Sequence, residues 1–416
     1  MATTEKPITV TETASPVPGP SSGTGKSKPK SGSGSSNSVL LTLLPQAPLL
    51  LWVAILHCLR LSPPSKYLDL RTELALAVIR SFISPAKPQS VSTTQKLASR
   101  APAPRGHIWV ATYACPVPPE AEELKEAIKR GIDGLWDPKI PRAGYDIPEP
   151  VAVEAEWTGY RVNAARGEKL PKELGEKGLY EAMMKDVKSP VTVLYFHGGA
   201  YCMLDPATHR PTTKTLAKLT GGRVYSVRYR LAPQSAFPAA LMDALVSYLA
   251  LLYPPEGAFH EQVKAENIVF AGDSAGGNLS MVLLQLILYL NRIGHKIQWH
   301  GEARDIPLPA GVAVSSPWMD LTHSLPSCTA NAAYDYLPTP AQQAVTNARR
   351  PPCAIWPTNP PRKHVYTPDA LITHPLRLPR PRHILGRRTP RLYLRRLGTA
   401  HRRGPVHCPK ALARWG

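Results

Sequence analysis

A serine at the centre of a glycine-rich turn is the residue best placed to do chemistry in this sequence. Ser274 lies in Gly-Asp-Ser-Ala-Gly-Gly, residues 272–277, between a strand-like run at 268–271 and a helical apolar run at 277–290. A turn this tight leaves room only for small residues beside the serine and holds its hydroxyl above a sheet. The helix N-terminus and the Ala275 N–H would stabilise a developing oxyanion. The pattern predicts a nucleophile, although a structural serine in a glycine-rich turn is the alternative.

A second glycine-rich segment could complete the site. His197, Gly198, Gly199 and Ala200 follow the strand-like run that ends at Phe196. Two adjacent glycines let the backbone approach a substrate, so their N–H groups can bind the oxyanion of a tetrahedral intermediate. We therefore predict an oxyanion hole made by the N–H groups of Gly198, Gly199 and Ala275. We expect His197 to orient this loop rather than to act as a base.

Alternating strand and helix patterns must position these residues. Strand-like runs occur at 107–113, 191–196, 223–227, 268–271 and 312–315, and helical patterns occur at 212–219, 239–252 and 277–290. This alternation predicts an α/β fold with a doubly wound, mostly parallel sheet. The strands expected after 312–315 are not recognisable, which predicts that 312–315 is an exposed edge strand.

Three motifs in order carry a resemblance to a known family. Besides the two glycine-rich segments, Val-Arg-Tyr-Arg-Leu-Ala-Pro at 227–233 continues through Phe-Pro-Ala-Ala to Asp243. Together they resemble the hormone-sensitive-lipase branch of the α/β hydrolases, which includes arylacetamide deacetylase and many bacterial carboxylesterases. The resemblance covers roughly residues 106–376. It implies an α/β-hydrolase fold with an N-terminal helical cap and cofactor-free hydrolysis of small-molecule esters or aryl amides. It also implies structural roles for Arg230 and Asp243.

The N-terminal quarter has a different organisation. Residues 1–38 are rich in Ser, Thr, Gly, Pro and Lys and are predicted to be disordered. Residues 39–61 hold an uncharged run near the ~20 residues that cross a bilayer, which predicts a single-pass membrane anchor. Two prolines weaken that prediction, and a buried or interfacial cap helix is the alternative. Residues 62–105 are predicted to be cap helices. The expected location is a membrane, such as the endoplasmic reticulum, or the cytoplasm.

The positive charge of the chain is concentrated at its end. Residues 377–416 hold eleven Arg, one Lys and no Asp or Glu, although the whole chain has a net charge of +20. An arginine-rich tail could bind nucleic acid or anionic lipid. Nucleic acid is not expected, because only Tyr393 and Trp415 could stack on bases.

The remaining members of a catalytic triad are not recognisable. The family places the acid and then the histidine after the serine, but no Asp or Glu follows Leu376, and His383, His401 and His407 sit among Arg and Pro. A shifted reading frame would permit Gly-Trp-Glu-Leu-Leu-Thr-Asp-Glu-Asp, which resembles the family's acid motif. We therefore expect residues 377–416 to be out of frame, through a sequencing error, a missed intron or a pseudogene.

With this sequence, the chain is expected to be an impaired enzyme, because serine needs a histidine and a carboxylate for activation. A non-catalytic ligand-binding protein and a scaffold with a basic tail are the alternatives. Other downstream residues lack the spacing of a triad: Asp335, His364, Asp369, His374 and His323. Six scattered cysteines without a Cys-x-x-Cys pair are expected to be free thiols, and neither a metal site nor a cofactor is predicted.

Overall fold

A short apolar helix dominates the first of two structural units. The computed structural model describes residues 44–99, 101–142, 144–376 and 392–395, and the chain divides into units at residues 1–78 and 79–416. Helix α1 covers Ala47–Cys58 and follows a 3-10 turn at Leu44–Gln46. Helix α2, Leu70–Ile83, begins in the first unit. His57 of α1 lies 2.6 Å from the buried Glu73 of α2, measured from Nδ1 to Oε2.

The prediction of a single membrane-spanning helix at 39–61 is not supported. Helix α1 has 12 residues, which corresponds to about 18 Å of rise, whereas a bilayer core is about 30 Å thick. A proline in the first turn marks its start, since proline has no N–H to donate. Within the described residues, no helix is long and apolar enough to cross a membrane. None of the α1 residues is buried, and the Trp52 side chain is 59% exposed.

A seven-stranded mixed sheet forms the centre of the second unit. In spatial order it reads β1-β2-β4-β3-β5-β8-β9. Strands β1, β2 and β4 pair antiparallel at one side, and the remaining pairs are parallel. The predicted doubly wound, mostly parallel sheet is therefore present. A separate antiparallel pair is formed by β6 and β7. The strands are β1 Trp109–Cys115, β2 Val153–Gly159, β3 Thr192–Phe196, β4 Arg223–Val227, β5 Ile268–Asp273, β6 Ile297–Trp299, β7 Glu302–Arg304, β8 Gly311–Ser315 and β9 Leu392–Arg395.

Helices connect and cover these strands. The two most buried are α7 and α8, and every residue of α7 is buried because its sequence is predominantly apolar and its Asp243 is paired with Arg230. The helices of this unit are α3 Val91–Ala98, α4 Ala121–Gly134, α5 Gly175–Asp186, α6 Arg210–Thr220, α7 Ala239–Leu252, α8 Ser274–Arg292, α9 Ser327–Ala330 and α10 Pro340–Ala348.

The expectation that the strand at 312–315 is an exposed edge is wrong. Strand β9 pairs in parallel with β8 over four residues, from Val312 opposite Leu392 to Ser315 opposite Arg395. One further strand therefore follows β8, inside the region predicted to lack the fold's last strands. The rest of the predicted tail at 377–416 lies outside the described residues, as do the predicted disordered segment 1–38 and residues 39–43 of the predicted anchor.

The parallel strands bring four loops to one edge of the sheet. Phe196 at the end of β3 is in register with both Val227 of β4 and Gly272 of β5, and β8 ends opposite Asp273. The carboxyl ends of parallel strands are the usual place for a site in such a sheet. Helix α3, which lies in the segment predicted to be a cap, reaches the same edge, where the Gln95 side-chain amide donates to the carbonyl oxygens of Cys202 and Ala232.

Candidate active site

Ser274 occupies a strained turn between β5 and α8. Its φ of +48° lies in the left-handed region, which costs about 1–3 kcal/mol for a non-glycine residue. The packing explains the neighbouring glycines, because a Cβ on Gly276 would lie 1.9 Å from the Phe196 carbonyl oxygen. The Trp318 N–H donates to the Ser274 carbonyl at 2.9 Å. The turn thus holds a partly exposed serine against the end of β3.

The loop after β3 also has an unusual backbone. Gly199, Ala200 and Tyr201 all have positive φ, and the Gly199 carbonyl accepts the N–H groups of residues 202 and 203. Across the described residues, the N–H groups of Gly199 and Ala200 donate to no acceptor. Ala275 lies in the first turn of α8, where N–H groups have no acceptor within the helix. These three N–H groups are the candidate donors to an oxyanion.

The prediction that the Gly198 N–H contributes to the oxyanion hole is corrected. This N–H donates to the Asp273 carboxylate, at 3.0 Å from Oδ1. A donor already bonded to a carboxylate is not available to a substrate oxygen. The N–H of Ala200 replaces it as the second candidate beside Gly199. The role of this segment stays a prediction, with Gly199 and Ala200 rather than Gly198 and Gly199 as its candidate donors.

His197 is buried beneath this loop, as a supporting role requires. Its ring stacks on Tyr229 with centroids 4.3 Å apart, and the Tyr229 hydroxyl donates to the His197 carbonyl at 2.7 Å. The ring Nδ1 lies 2.7 Å from the Gly198 carbonyl oxygen. Burial lowers the pKa of His197 to about 4, so the ring is neutral at neutral pH. Its contacts are with the loop backbone and Tyr229, and within the described residues it does not hydrogen-bond Ser274.

A carboxylate network beside Ser274 was missed from the sequence. Asp273 accepts the Tyr195 hydroxyl at 2.7 Å as well as the Gly198 N–H, and its Oδ1 lies 3.3 Å from Nε2 of His209. Burial opposes ionisation of Asp273, but hydrogen bonds from His209, Tyr195 and Gly198 outweigh it and hold the pKa below its usual value. No local spacing signals this network, because His209 lies far from Asp273 along the chain.

The histidines and acids weighed as substitute triad members are engaged elsewhere. His374 is buried against α4, with Nε2 2.9 Å from the Ile132 carbonyl, and Asp369 accepts the N–H groups of residues 363 and 364. His323 accepts the Trp318 indole N–H. Throughout the described part of the chain, the Ser274 hydroxyl has no hydrogen-bond partner. His383, His401 and His407 lie outside that part.

Neither a metal centre nor a disulfide supports the site within the described ranges. No group of three or more His, Cys, Asp or Glu residues in those ranges could hold a metal ion. The five cysteines that they contain are free thiols, and the sixth, Cys408, lies outside them.

Comparison with known proteins finds similarity over parts of the chain. Residues 193–353 match a family model described as the alpha/beta hydrolase fold. The chain is 34% identical over 148 residues to an acetyl-hydrolase of Streptomyces hygroscopicus, covering 35% of this chain and 42% of that protein. It is 30% identical over 173 residues to the hormone-sensitive lipase of Homo sapiens, covering 39% of this chain and 15% of that protein.

A solved structure of an esterase from the bacterial hormone-sensitive lipase family also matches. The TM-score is 0.44 at 21% identity, and the alignment covers 75% of this chain and 73% of that one. The aligned part of the chain spans less than half the length of the two curated relatives named above.

Proposed function

We propose that this chain hydrolyses carboxylic esters through Ser274. Its resemblance to the hormone-sensitive-lipase branch of the α/β hydrolases is supported by its family match and its relatives. One observation carries the proposal. The left-handed Ser274 sits at the start of α8, and its neighbour Asp273 binds the N–H of Gly198. The next two N–H groups of that loop donate to no acceptor among the described residues. A nucleophile and an oxyanion hole are the minimum for acyl transfer. Aryl amides are the second substrate class for the same site.

The proposed reaction has two steps. In the first, Ser274 Oγ attacks the ester carbonyl carbon, and the carbonyl oxygen becomes an oxyanion held by N–H groups. The alcohol then leaves with the proton that the serine hydroxyl has lost. In the second, water attacks the acyl-serine, the carboxylic acid leaves, and the serine recovers its proton. Each of these N–H donors would lower the barrier, since losing one oxyanion donor typically costs about 10²–10³ in rate.

We further propose that this chain reacts slowly. A serine hydroxyl becomes a strong nucleophile only when a histidine takes its proton, and no histidine in the described residues hydrogen-bonds Ser274. A triad enzyme without that base keeps a residual acceleration of about 10³–10⁴ over water, from the oxyanion hole and binding. A non-catalytic ligand-binding protein is the rival that this observation favours.

A fluorophosphonate probe tests the nucleophile directly. The serine oxygen displaces fluoride from phosphorus, so labelling requires a reactive serine and no turnover. We expect slow labelling of the full chain that is abolished in Ser274→Ala and unchanged in Ser327→Ala, an exposed serine at the start of α9. Labelling that survives Ser274→Ala would refute the assignment. No labelling of the unaltered chain would support the binding-only rival.

The origin of the impairment has its own test. We propose that residues 377–416 are out of frame and that the family's acid and histidine lie in the shifted frame. Sequencing independent transcripts across the codon for Leu376 should reveal the shift. An uninterrupted frame ending at Gly416 in all of them would contradict this proposal and leave the nucleophile assignment standing.

A further inference from the structure

His209 is a nearly buried histidine in contact with the candidate site. It ends a 3-10 turn, Pro206–His209, directly before α6, and its side chain is 12% exposed. Its Nδ1 lies 2.9 Å from Thr208 Oγ1, and its Nε2 lies 3.3 Å from Asp273 Oδ1. Both ring nitrogens therefore have a polar neighbour, one on each side of the ring.

The donors and acceptors around this ring indicate which of its nitrogens carry hydrogens. The Thr208 hydroxyl has a single hydrogen, which goes to the Asp205 carbonyl oxygen at 2.6 Å because a carbonyl can only accept. Nδ1 of His209 must then be the donor to Thr208 Oγ1. On the other side Nε2 lies 3.3 Å from the Asp273 carboxylate, which can only accept when ionised, so this contact favours a hydrogen on Nε2 as well. A histidine that donates from both nitrogens is an imidazolium.

The groups facing His209 are consistent with a cation there. The neutral ring of His197 lies 5.6 Å away and the Tyr195 ring 6.1 Å away, both centroid to centroid. The other nearby carboxylate, on Asp205, is already bonded to the Arg228 guanidinium at 2.8 Å. Asp273 is therefore the anion that His209 neutralises.

We propose that His209 is a positioning residue, an imidazolium that holds Asp273 and neutralises its charge beside the oxyanion hole. Asp273 directly precedes the serine of the turn and accepts the Gly198 N–H, so it links the nucleophile to the oxyanion loop. An unneutralised carboxylate here would oppose an anionic transition state. Because both ring nitrogens already carry a hydrogen, His209 cannot take the proton of Ser274. The inference rests on the proposed function.

Nitrogen-15 NMR of the full chain, labelled at its histidines, tests the charge without requiring activity. The His209 signals are assigned by their loss in His209→Gln. At pH 7.5 we expect both ring nitrogens of His209 to show imidazolium shifts, and we expect neutral-ring shifts in Asp273→Asn. Neutral-ring shifts in the unaltered chain would overturn the proposal.

The rate of fluorophosphonate labelling at Ser274 tests the positioning. His209→Leu removes both hydrogen bonds and the charge and should slow labelling about 100-fold, the cost of a misplacement near 1 Å. His209→Gln keeps one donor and should slow it about 10-fold, whereas the exposed His300→Gln should leave it unchanged.

The two proposals fail in different ways. Equal labelling rates in the unaltered chain and His209→Gln would overturn the positioning role while leaving Ser274 as nucleophile. An unaltered chain that does not label refutes the proposed function, and the NMR shifts then still decide the charge of His209. If His209→Leu does not fold, as judged by circular dichroism, the His209→Gln rate decides the positioning role.

Discussion

Replacing Gly276 with alanine should damage the site through the backbone alone. An added Cβ would lie 1.9 Å from the Phe196 carbonyl oxygen and 2.5 Å from the His197 carbonyl oxygen, whereas ordinary contact begins at 3.4 Å. Both obstacles are backbone atoms, so no side chain can rotate away. The end of β3 and the start of α8 must separate by about 1 Å, a shift that can cost 10²-fold in rate.

Two opposing terms set the stability of Gly276→Ala. Alanine is favoured over glycine within a helix by about 1 kcal/mol, but overpacking costs about 1–3 kcal/mol, and a clash between two backbones lies at the upper end. We expect a net loss of about 2 kcal/mol in the free energy of unfolding. Chemical denaturation measures this loss, and fluorophosphonate labelling of Ser274 measures the displacement of the site.

A matched glycine provides the control. Gly144 is exposed, a Cβ added to it would meet no atom within 4 Å, and its φ lies outside the left-handed region. Gly144→Ala should change stability by no more than about 0.5 kcal/mol and leave labelling unchanged. If Gly276→Ala is as stable as the unaltered chain and labels at the same rate, the close approach of β3 and α8 is not what fixes the site.

Two further changes probe the buried polar groups. Burial, assisted by a nearby arginine, lowers the pKa of His260 to about 4. Stability should therefore fall as the pH drops from 6.5 through 4, where the unfolded chain binds more protons, and His260→Phe should remove about 3 kcal/mol of that fall in acid denaturation curves. Asp243→Ala strands the Arg230 guanidinium that it binds at 2.8 Å, so thermal unfolding should show a loss of about 3–5 kcal/mol. Lys296→Ala, which breaks an exposed ion pair, should cost under about 1 kcal/mol.

Strongly apolar elements were predictable from the sequence. The bounds of β4 and α7 agree with the predicted ranges because both segments are buried almost throughout. Helix α8 begins three residues before its predicted start, since small residues at its first turn hide the helical pattern. Strand β2 was missed because Glu154 and Glu156 interrupt its apolar residues. In the fold their charges are matched by Arg228 and Arg210.

The candidate site was only partly predictable. Local motifs indicated the serine turn and the oxyanion loop, because tight turns constrain neighbouring residues. The partner of the Gly198 N–H could not be predicted, since it depends on how closely β3 and β5 bring Asp273 to that loop. The same holds for His209, whose role arises only when the turn before α6 packs against β5.

The bonds of Gln95 link helix α3 to the sheet edge that holds the candidate site. One amide nitrogen on α3 is shared between the carbonyls of Cys202, in the loop after β3, and Ala232. Each such bond is worth about 0.5–1.5 kcal/mol, so moving α3 away gives up both together. The position of α3 and the shape of the loop after β3 are thus thermodynamically coupled. A ligand that displaces α3 spends part of its binding energy on loosening the N–H groups that we propose as donors to its carbonyl oxygen.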